Sequence, residues 1–296
     1  MNQTEAQTIT LWCAVLAKAG KGMERRLPDR CLPLHFRMLL QLTQPETNEL
    51  SSVQFARTLM VRPSDVDAAL EILQTTPYLK QVKGADRFAI TPEGRTYIAQ
   101  ATESIDRFMG NSQGELDHDE AFIYRAMYYD AIVKPGSFFA TNALLPERGT
   151  RLPVPYEITA IYALTQTISA TIKRSADLSF TDFRFLLELL PKKRDAVKQI
   201  RAREMVKLLR VGRAYVSTAS YRLEDRGLLK RIPEPDDARG ILFEITPQGR
   251  QLVNDVGEDV YAVYAGLFGQ THFDSVRRIR NLGTVLRGID SCWEDL

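Results

Sequence analysis

Residues 211–250 read VGRAYVSTASYRLEDRGLLKRIPEPDDARGILFEITPQGR. Val216, Ala219 and Leu223 recur at helical spacing, which predicts a helix over Val211–Leu223 with one apolar face. Arg213, Tyr215, Ser217, Thr218, Tyr221 and Arg222 are then turned outward. Leu229–Ile245 reads as a two-stranded hairpin whose tip holds Pro233, Pro235 and Asp236-Asp237. Thr246-Pro247 opens another helix, the threonine as N-cap and the proline at the first position, where a missing amide proton costs nothing. An outward arginine and short hydroxyls near a helix start suit base edges in a DNA major groove. A guanidinium can grip guanine bidentately, and Ser or Thr can donate or accept. The tyrosines and Arg222 suit phosphates.

Working outward, the pentapeptide TPQGR at 246–250 has a partner, TPEGR, at 91–95, 155 positions upstream. Phe36-Arg37-Met38-Leu39-Leu40 resembles Phe183-Arg184-Phe185-Leu186-Leu187 at an offset of 147, and Leu59-Met60-Val61 resembles Leu209-Arg210-Val211 at 150. The order is preserved, and the growing offset places short insertions where loops belong. Each copy is predicted as helix, helix, turn, helix, hairpin and a long Thr-Pro helix. The first hairpin, Leu79–Ile90, turns at Gly84. Glu157–Lys173 is helical in pattern, and Ile9, Leu11, Trp12, Val15 and Leu16 mark the matching helix of copy one.

The expected organisation is copy one over 1–109, a connector with one helix, Glu120–Val133, over 110–155, and copy two over 156–296 ending in dimer-type helices. The fold class is mainly α with small β wings, two tandem helix-turn-helix units joined by helices into a pseudo-dimer.

A chain of 296 residues, 44% hydrophobic and 26% charged, is long enough for two cores and excludes disordered and fibrous classes. No apolar run approaches a membrane span and no secretory leader opens the chain, so a cytoplasmic protein without a membrane partner is expected. Cys13, Cys31 and Cys292 are odd in number and unpaired in pattern, as free thiols in a reducing compartment would be. The net charge of +2 hides an uneven distribution. Lys192–Arg231 holds thirteen basic residues against four acids, an excess of +9, whereas the corresponding Pro45–Gln81 holds three against five, −2. Phosphate contacts dominate DNA affinity, so copy two should supply most of it. Lys192, Lys193, Arg194 and Arg201 are candidate phosphate contacts beside the reading helix, although KKRDAVKQIRAR at 192–203 also reads as a solvated helix face. In copy one Asp65, Asp67 and Glu71 replace Tyr215, Ser217 and Tyr221, leaving Arg62, Lys83 and Arg87 as its candidate contacts.

The run from Val211 to Arg250 resembles the multiple antibiotic resistance regulator (MarR) family. In that family a recognition helix passes through RLE-x-RGL into a wing bearing D-x-R, closed by LT-x-x-GR. Here these are Arg222–Leu228, Asp237-Ala238-Arg239 and Ile245–Arg250, and the pattern covers about 156–268. The resemblance implies winged helices, a dimer through terminal helices, recognition helices in successive major grooves and Arg239 in a minor groove. It also implies transcription control, often relieved by a small aromatic effector. Two departures stand out. The family pairs two identical shorter chains, so one chain here would act as a monomeric pseudo-dimer rather than an obligate homodimer. Thr218 also occupies the place where many members carry a recognition arginine.

Tyr215 and Tyr221 could pack on neighbouring helices, and Cys13 and Cys31 could be ordinary buried thiols rather than oxidant sensors. His118 with Asp117, Asp119 and Glu120 is read as solvated rather than metal-binding. A Ser-His-Asp arrangement, HExxH, a Walker loop and a GxGxxG after a strand are missing, so no enzyme and no cofactor are expected. A plasmid-type replication initiator with tandem winged helices, and a winged-helix protein-interaction module that does not bind DNA, are the alternatives.

Overall fold

The computed structural model describes residues 1–27, 32–43, 48–59, 61–122, 124–125, 154–191, 196–235, 237–268 and 275–294. In chain order the elements are α1 (Gln3–Glu24), α2 (Pro33–Gln41), β1 (Glu49–Leu50), α3 (Ser52–Leu59), α4 (Pro63–Gln74), β2 (Leu79–Gln81), β3 (Phe88–Ile90) and α5 (Pro92–Ser112). They continue with α6 (Val154–Ala176), α7 (Phe180–Glu188), β4 (Gln199–Arg201), α8 (Ala202–Leu209), α9 (Arg213–Asp225), β5 (Leu229–Glu234), β6 (Asp237–Ile245), α10 (Pro247–Phe268) and α11 (Ser275–Glu294). The described residues are mostly helical with two small antiparallel sheets, and the same succession of helices and hairpin occurs twice among them.

Each hairpin is wider than the sequence reading expected. A short strand before the second helix of each copy joins the sheet, giving the orders β1-β3-β2 and β4-β6-β5. Leu50 pairs with Phe88, and Ile200 with Phe243. The segment read as a solvated helix face therefore contains β4 and ends in the first residues of α8. Its members Lys192, Lys193 and Arg194 lie outside the described residues, as does the connector between Arg125 and Val154; the described part of the connector is helical at 110–112, 118–122, 124–125 and 154–155.

The TPxGR repeat has one geometry in both copies. Thr91 accepts from the Gly94 amide at 3.0 Å and donates to the Pro77 carbonyl at 2.6 Å. Thr246 accepts from the Gly249 amide at 2.9 Å and donates to the Gly227 carbonyl at 2.6 Å. Each hydroxyl thus caps a helix and ties it to the start of the hairpin. The glycine is required because a Cβ would stand 2.3 Å from the Tyr78 carbonyl oxygen in copy one and 2.0 Å from that of Leu228 in copy two.

The chain divides into two compact units. One comprises Met1–Lys18 and Leu164–Leu286, the other Ala19–Ala163 and Arg287–Leu296. In the first, Trp12 meets Tyr264 edge-on at 5.1 Å, and Phe185 meets Phe243 likewise. Buried Ile9, Val15, Leu16, Val253, Val256 and Val260 contribute to its apolar interior. In the second, the Arg26 guanidinium covers the Phe108 ring at 3.9 Å, Tyr78 stacks on Tyr97 at 4.4 Å, and Arg25 lies over Trp293 at 5.2 Å. Burial of these apolar faces is the main stabilising term, at about 25 cal/mol per Å².

Each unit also buries one arginine at the same place in the repeat. Arg37 donates to the Leu59 carbonyl at 3.0 Å, and its guanidinium faces the Tyr162 ring at 5.0 Å. Arg184 donates to the carbonyls of Leu208 and Leu209 at 3.3 and 3.5 Å. Its charge is felt by Cys13, whose thiol burial pushes up to about 12. Cys13 and Tyr162 are 149 positions apart, an offset within the range of the repeat. No described helix is long and apolar enough to cross a membrane.

Candidate nucleic-acid interface

Helix α9 is built to present one face and lock the other. Val216, Ala219, Ser220 and Leu223 are buried, while Arg213, Ser217, Thr218 and Tyr221 are exposed. Gly212 precedes the helix in extended conformation, so the chain enters α9 with the Arg213 side chain in its first turn.

The RLE-x-RGL segment fastens the helix at its end. Arg222 donates to both carboxylate oxygens of Asp182 at 2.7 and 2.9 Å, Leu223 is fully buried, and Glu224 accepts from the Arg231 amide at 3.0 Å. Arg226 donates to the carbonyls of Ala176 and Asp177 at 2.8 and 3.2 Å, where α6 ends. Gly227 takes a φ of +69°, a conformation that favours glycine and lets the chain turn into β5. Tyr215 points back toward α7, its hydroxyl donating to Asp182 at 3.2 Å. The Arg222–Asp182 contact also holds the guanidinium more firmly protonated than usual. Tyr221 is 53% exposed, and its ring lies 3.4 Å beneath the Arg231 guanidinium at the root of the wing.

Between α8, α9 and the wing runs a cleft of about 370 Å³, lined among others by Arg201, Arg203, Arg213, Ser217 and Arg231. Arg201 stands at the end of β4 and pairs with Glu234 at 2.5 Å, with half of its side chain exposed. With Arg201 paired to Glu234 and Arg231 standing 3.9 Å from Glu224, the cationic character of the cleft comes mainly from Arg203 and Arg213, with Asp237 opposing. Arg239 is in β6, but its side chain lies outside the described residues.

In copy one the equivalent helix α4 opens differently. Arg62 donates to Asp65 through Nε at 3.0 Å and Nη2 at 2.8 Å, so the first acid of the helix is neutralised within the chain. Asp67 and Glu71 are exposed. Lys83 and Gly84 form the wing tip, and Arg87 stands 3.9 Å from Glu49 on β1. In this copy Leu32, Val53 and Ile72 are exposed, at places where copy two has Ser179, Arg203 and Arg222.

Reading from sequence missed Asp182 and the buried Arg37 and Arg184, although the two arginines lay inside a matched segment and a charged residue repeated within an apolar run was the available signal. Cys13 and Cys292 are buried free thiols; Cys31 lies outside the described residues. His118 contacts Asp119, and no cluster able to hold a metal occurs among the described residues.

Residues 195–241 match the sequence model of the MarR family. No curated protein matches the chain. Among solved structures, the chain is similar to the transcriptional regulator BldR from Sulfolobus solfataricus, at 20% identity and a TM-score of 0.38 over 47% of this chain and 91% of that one. Sco3205, a MarR family transcriptional regulator from Streptomyces coelicolor solved in complex with DNA, gives 21% identity and a TM-score of 0.38 over 44% and 79%. Wild-type MarR from E. coli gives 23% and 0.30 over 36% and 80%.

Proposed function

We propose that the chain is a sequence-specific DNA-binding transcriptional regulator of the MarR type, with copy two as its principal reading head. The observation that carries this is α9 itself: an exposed Arg213, Ser217 and Thr218 on a helix buried on its other side, within a stretch carrying an excess of +9. Arg213 would grip a guanine, Ser217 and Thr218 would bond neighbouring base edges, and Arg239 would enter a minor groove. Lys192, Lys193, Arg194, Arg201 and Tyr221 would meet phosphates. Copy one would add wing contacts from Lys83 and Arg87.

A monomeric pseudo-dimer belongs to the same reading. It is supported by the repeat, in which Arg184 of copy two has Cys13 of α1 in its field while Arg37 of copy one faces Tyr162 of α6. The arginine of α2 is thus met by α6, and that of α7 by α1, each a helix of the other copy's sequence. Control by a small aromatic effector would act by releasing the DNA.

The test is titration of the full chain against genomic DNA fragments at several salt concentrations, followed by sequencing of retained fragments and challenge with aromatic compounds. A regulator selects a promoter fragment and loses affinity steeply with salt. Selection of iterated origin repeats, or of nothing, overturns the reading.

A further inference from the structure

In copy two, four side chains close on one another between α7 and α9. The Asp182 carboxylate, with only 4% of its side chain exposed, receives Arg222 at 2.7 and 2.9 Å and the Tyr215 hydroxyl at 3.2 Å. The Ser179 hydroxyl lies 3.2 Å from that phenol and accepts from the Asp182 amide at 3.0 Å. Tyr215 and Arg222 are seven residues apart and so share one face of α9 two turns apart. Attachment at two points along that face fixes both the roll and the tilt of the helix.

Copy one shows what happens without this network. The repeat offsets put Leu32, His35, Asp65 and Ile72 where Ser179, Asp182, Tyr215 and Arg222 stand. The His35 ring accepts from the Leu32 amide at 3.4 Å, Asp65 bonds Arg62, and Ile72 is left 47% exposed. Copy one nevertheless forms the same three helices and hairpin. The fold therefore does not need the clamp, and the clamp occurs in the copy with the basic head.

We infer that Asp182 is a positioning residue for DNA reading: it withholds Arg222 from phosphates and holds α9 so that Arg213, Ser217 and Thr218 face the bases. The inference rests on the reading of copy two as a DNA-binding head. A free guanidinium raises affinity for every DNA sequence alike, whereas one bonded to a carboxylate adds almost no net charge. Sequestering Arg222 lowers the sequence-independent contribution and leaves the base contacts intact, which raises discrimination.

The experiment compares full-length wild type, Asp182→Ala, Arg222→Gln and the double variant by salt-dependent titration against the selected fragment and an unrelated one. Asp182→Ala frees a guanidinium, so its log–log salt slope steepens by about 0.9 and its affinity for unrelated DNA at 0.1 M salt rises on the order of eightfold. The ratio of selected to unrelated binding falls. Arg222→Gln keeps the wild-type slope, the double variant returns to it, and Asp182→Glu retains most of the discrimination. An unchanged slope and ratio in Asp182→Ala, or a slope about 0.9 shallower in Arg222→Gln alone, overturns the assignment. Wild type that binds no fragment in a salt-dependent way overturns the DNA-reading head itself, an outcome distinct from failure of the clamp.

Discussion

Arg37 and Arg184, 147 positions apart, do the same work: each reaches from the first helix of its copy to the carbonyl that ends the second, Leu59 at 3.0 Å and Leu209 at 3.5 Å. The last carbonyls of a helix have no partner within it, and a guanidinium both bonds them and opposes the helix dipole. Burial lowers the Arg37 pKa to about 10, which leaves it charged at neutral pH. Because α3 and α8 lead directly into α4 and α9, the arginine sets where the reading helix begins.

Replacing either arginine with methionine keeps much of the volume and removes the charged donor. Each variant should lose about 1.5–3 kcal/mol, the range for hydrogen bonds from charged groups. Denaturant unfolding of the full chain measures it, with Arg37→Met and Arg184→Met expected to fall by similar amounts. Neutral substitutions would show that water caps these helices equally well.

The TPxGR elements make a second paired prediction. A methyl group at Gly94 or Gly249 meets a backbone carbonyl that cannot move aside cheaply, so Gly94→Ala and Gly249→Ala should each cost about 1–3 kcal/mol. Thr91→Ala and Thr246→Ala lose the cap and the bond to the hairpin and should cost about 1 kcal/mol or more. Thermal unfolding of the four variants tests the pairing, and a strong asymmetry between copies would contradict the shared geometry.

The repeat and its hairpins were legible because TPxGR encodes a cap, a helix start and a close approach in five residues. The inward face of α9 was legible for a similar local reason: Val216, Ala219 and Leu223 carry their own period. Strands β1 and β4 were not, since two or three residues cannot display alternation, and Gln199–Arg201 lies inside a run of charges that masks it. The clamp on Arg222 was hidden for a different reason. Its acceptor, Asp182, is 40 residues away on another helix, and no pattern along the chain reports such a meeting.

His35 supplies a pH dependence. Its ring is buried, burial lowers its pKa below the usual imidazole value, and Nδ1 accepts from the Leu32 amide, which requires the neutral form. The unfolded chain therefore binds this proton more readily than the folded one, so stability is present above about pH 6.5 and is lost as pH falls below it. Unfolding midpoints at pH 7.5 and 5.5 should differ more in wild type than in His35→Gln; equal dependence in both would remove His35 as the cause.

The thiols should be inert in the folded chain. Cys13 is fully buried and held up to about 12, so almost no thiolate exists at neutral pH, and Cys292 is buried as well. In a Cys31→Ser variant, a thiol reagent at pH 8 should label neither residue until denaturant is added. Rapid labelling of the native protein would reopen an oxidant-sensing role.

Arg62 and Arg213 separate the two heads most directly. Both are exposed near the start of their reading helices, but Arg62 is bonded twice to Asp65 and adds little net charge to its surroundings, whereas Arg213 stands on the cationic side of the cleft. Arg62→Ala should leave DNA affinity and its salt slope almost unchanged. Arg213→Ala should cost about 1–3 kcal/mol against the selected sequence and much less against unrelated DNA, as loss of a bidentate base contact would. Uniform loss across all sequences would place Arg213 on a phosphate instead, and a larger loss from Arg62→Ala would make copy one the principal reader.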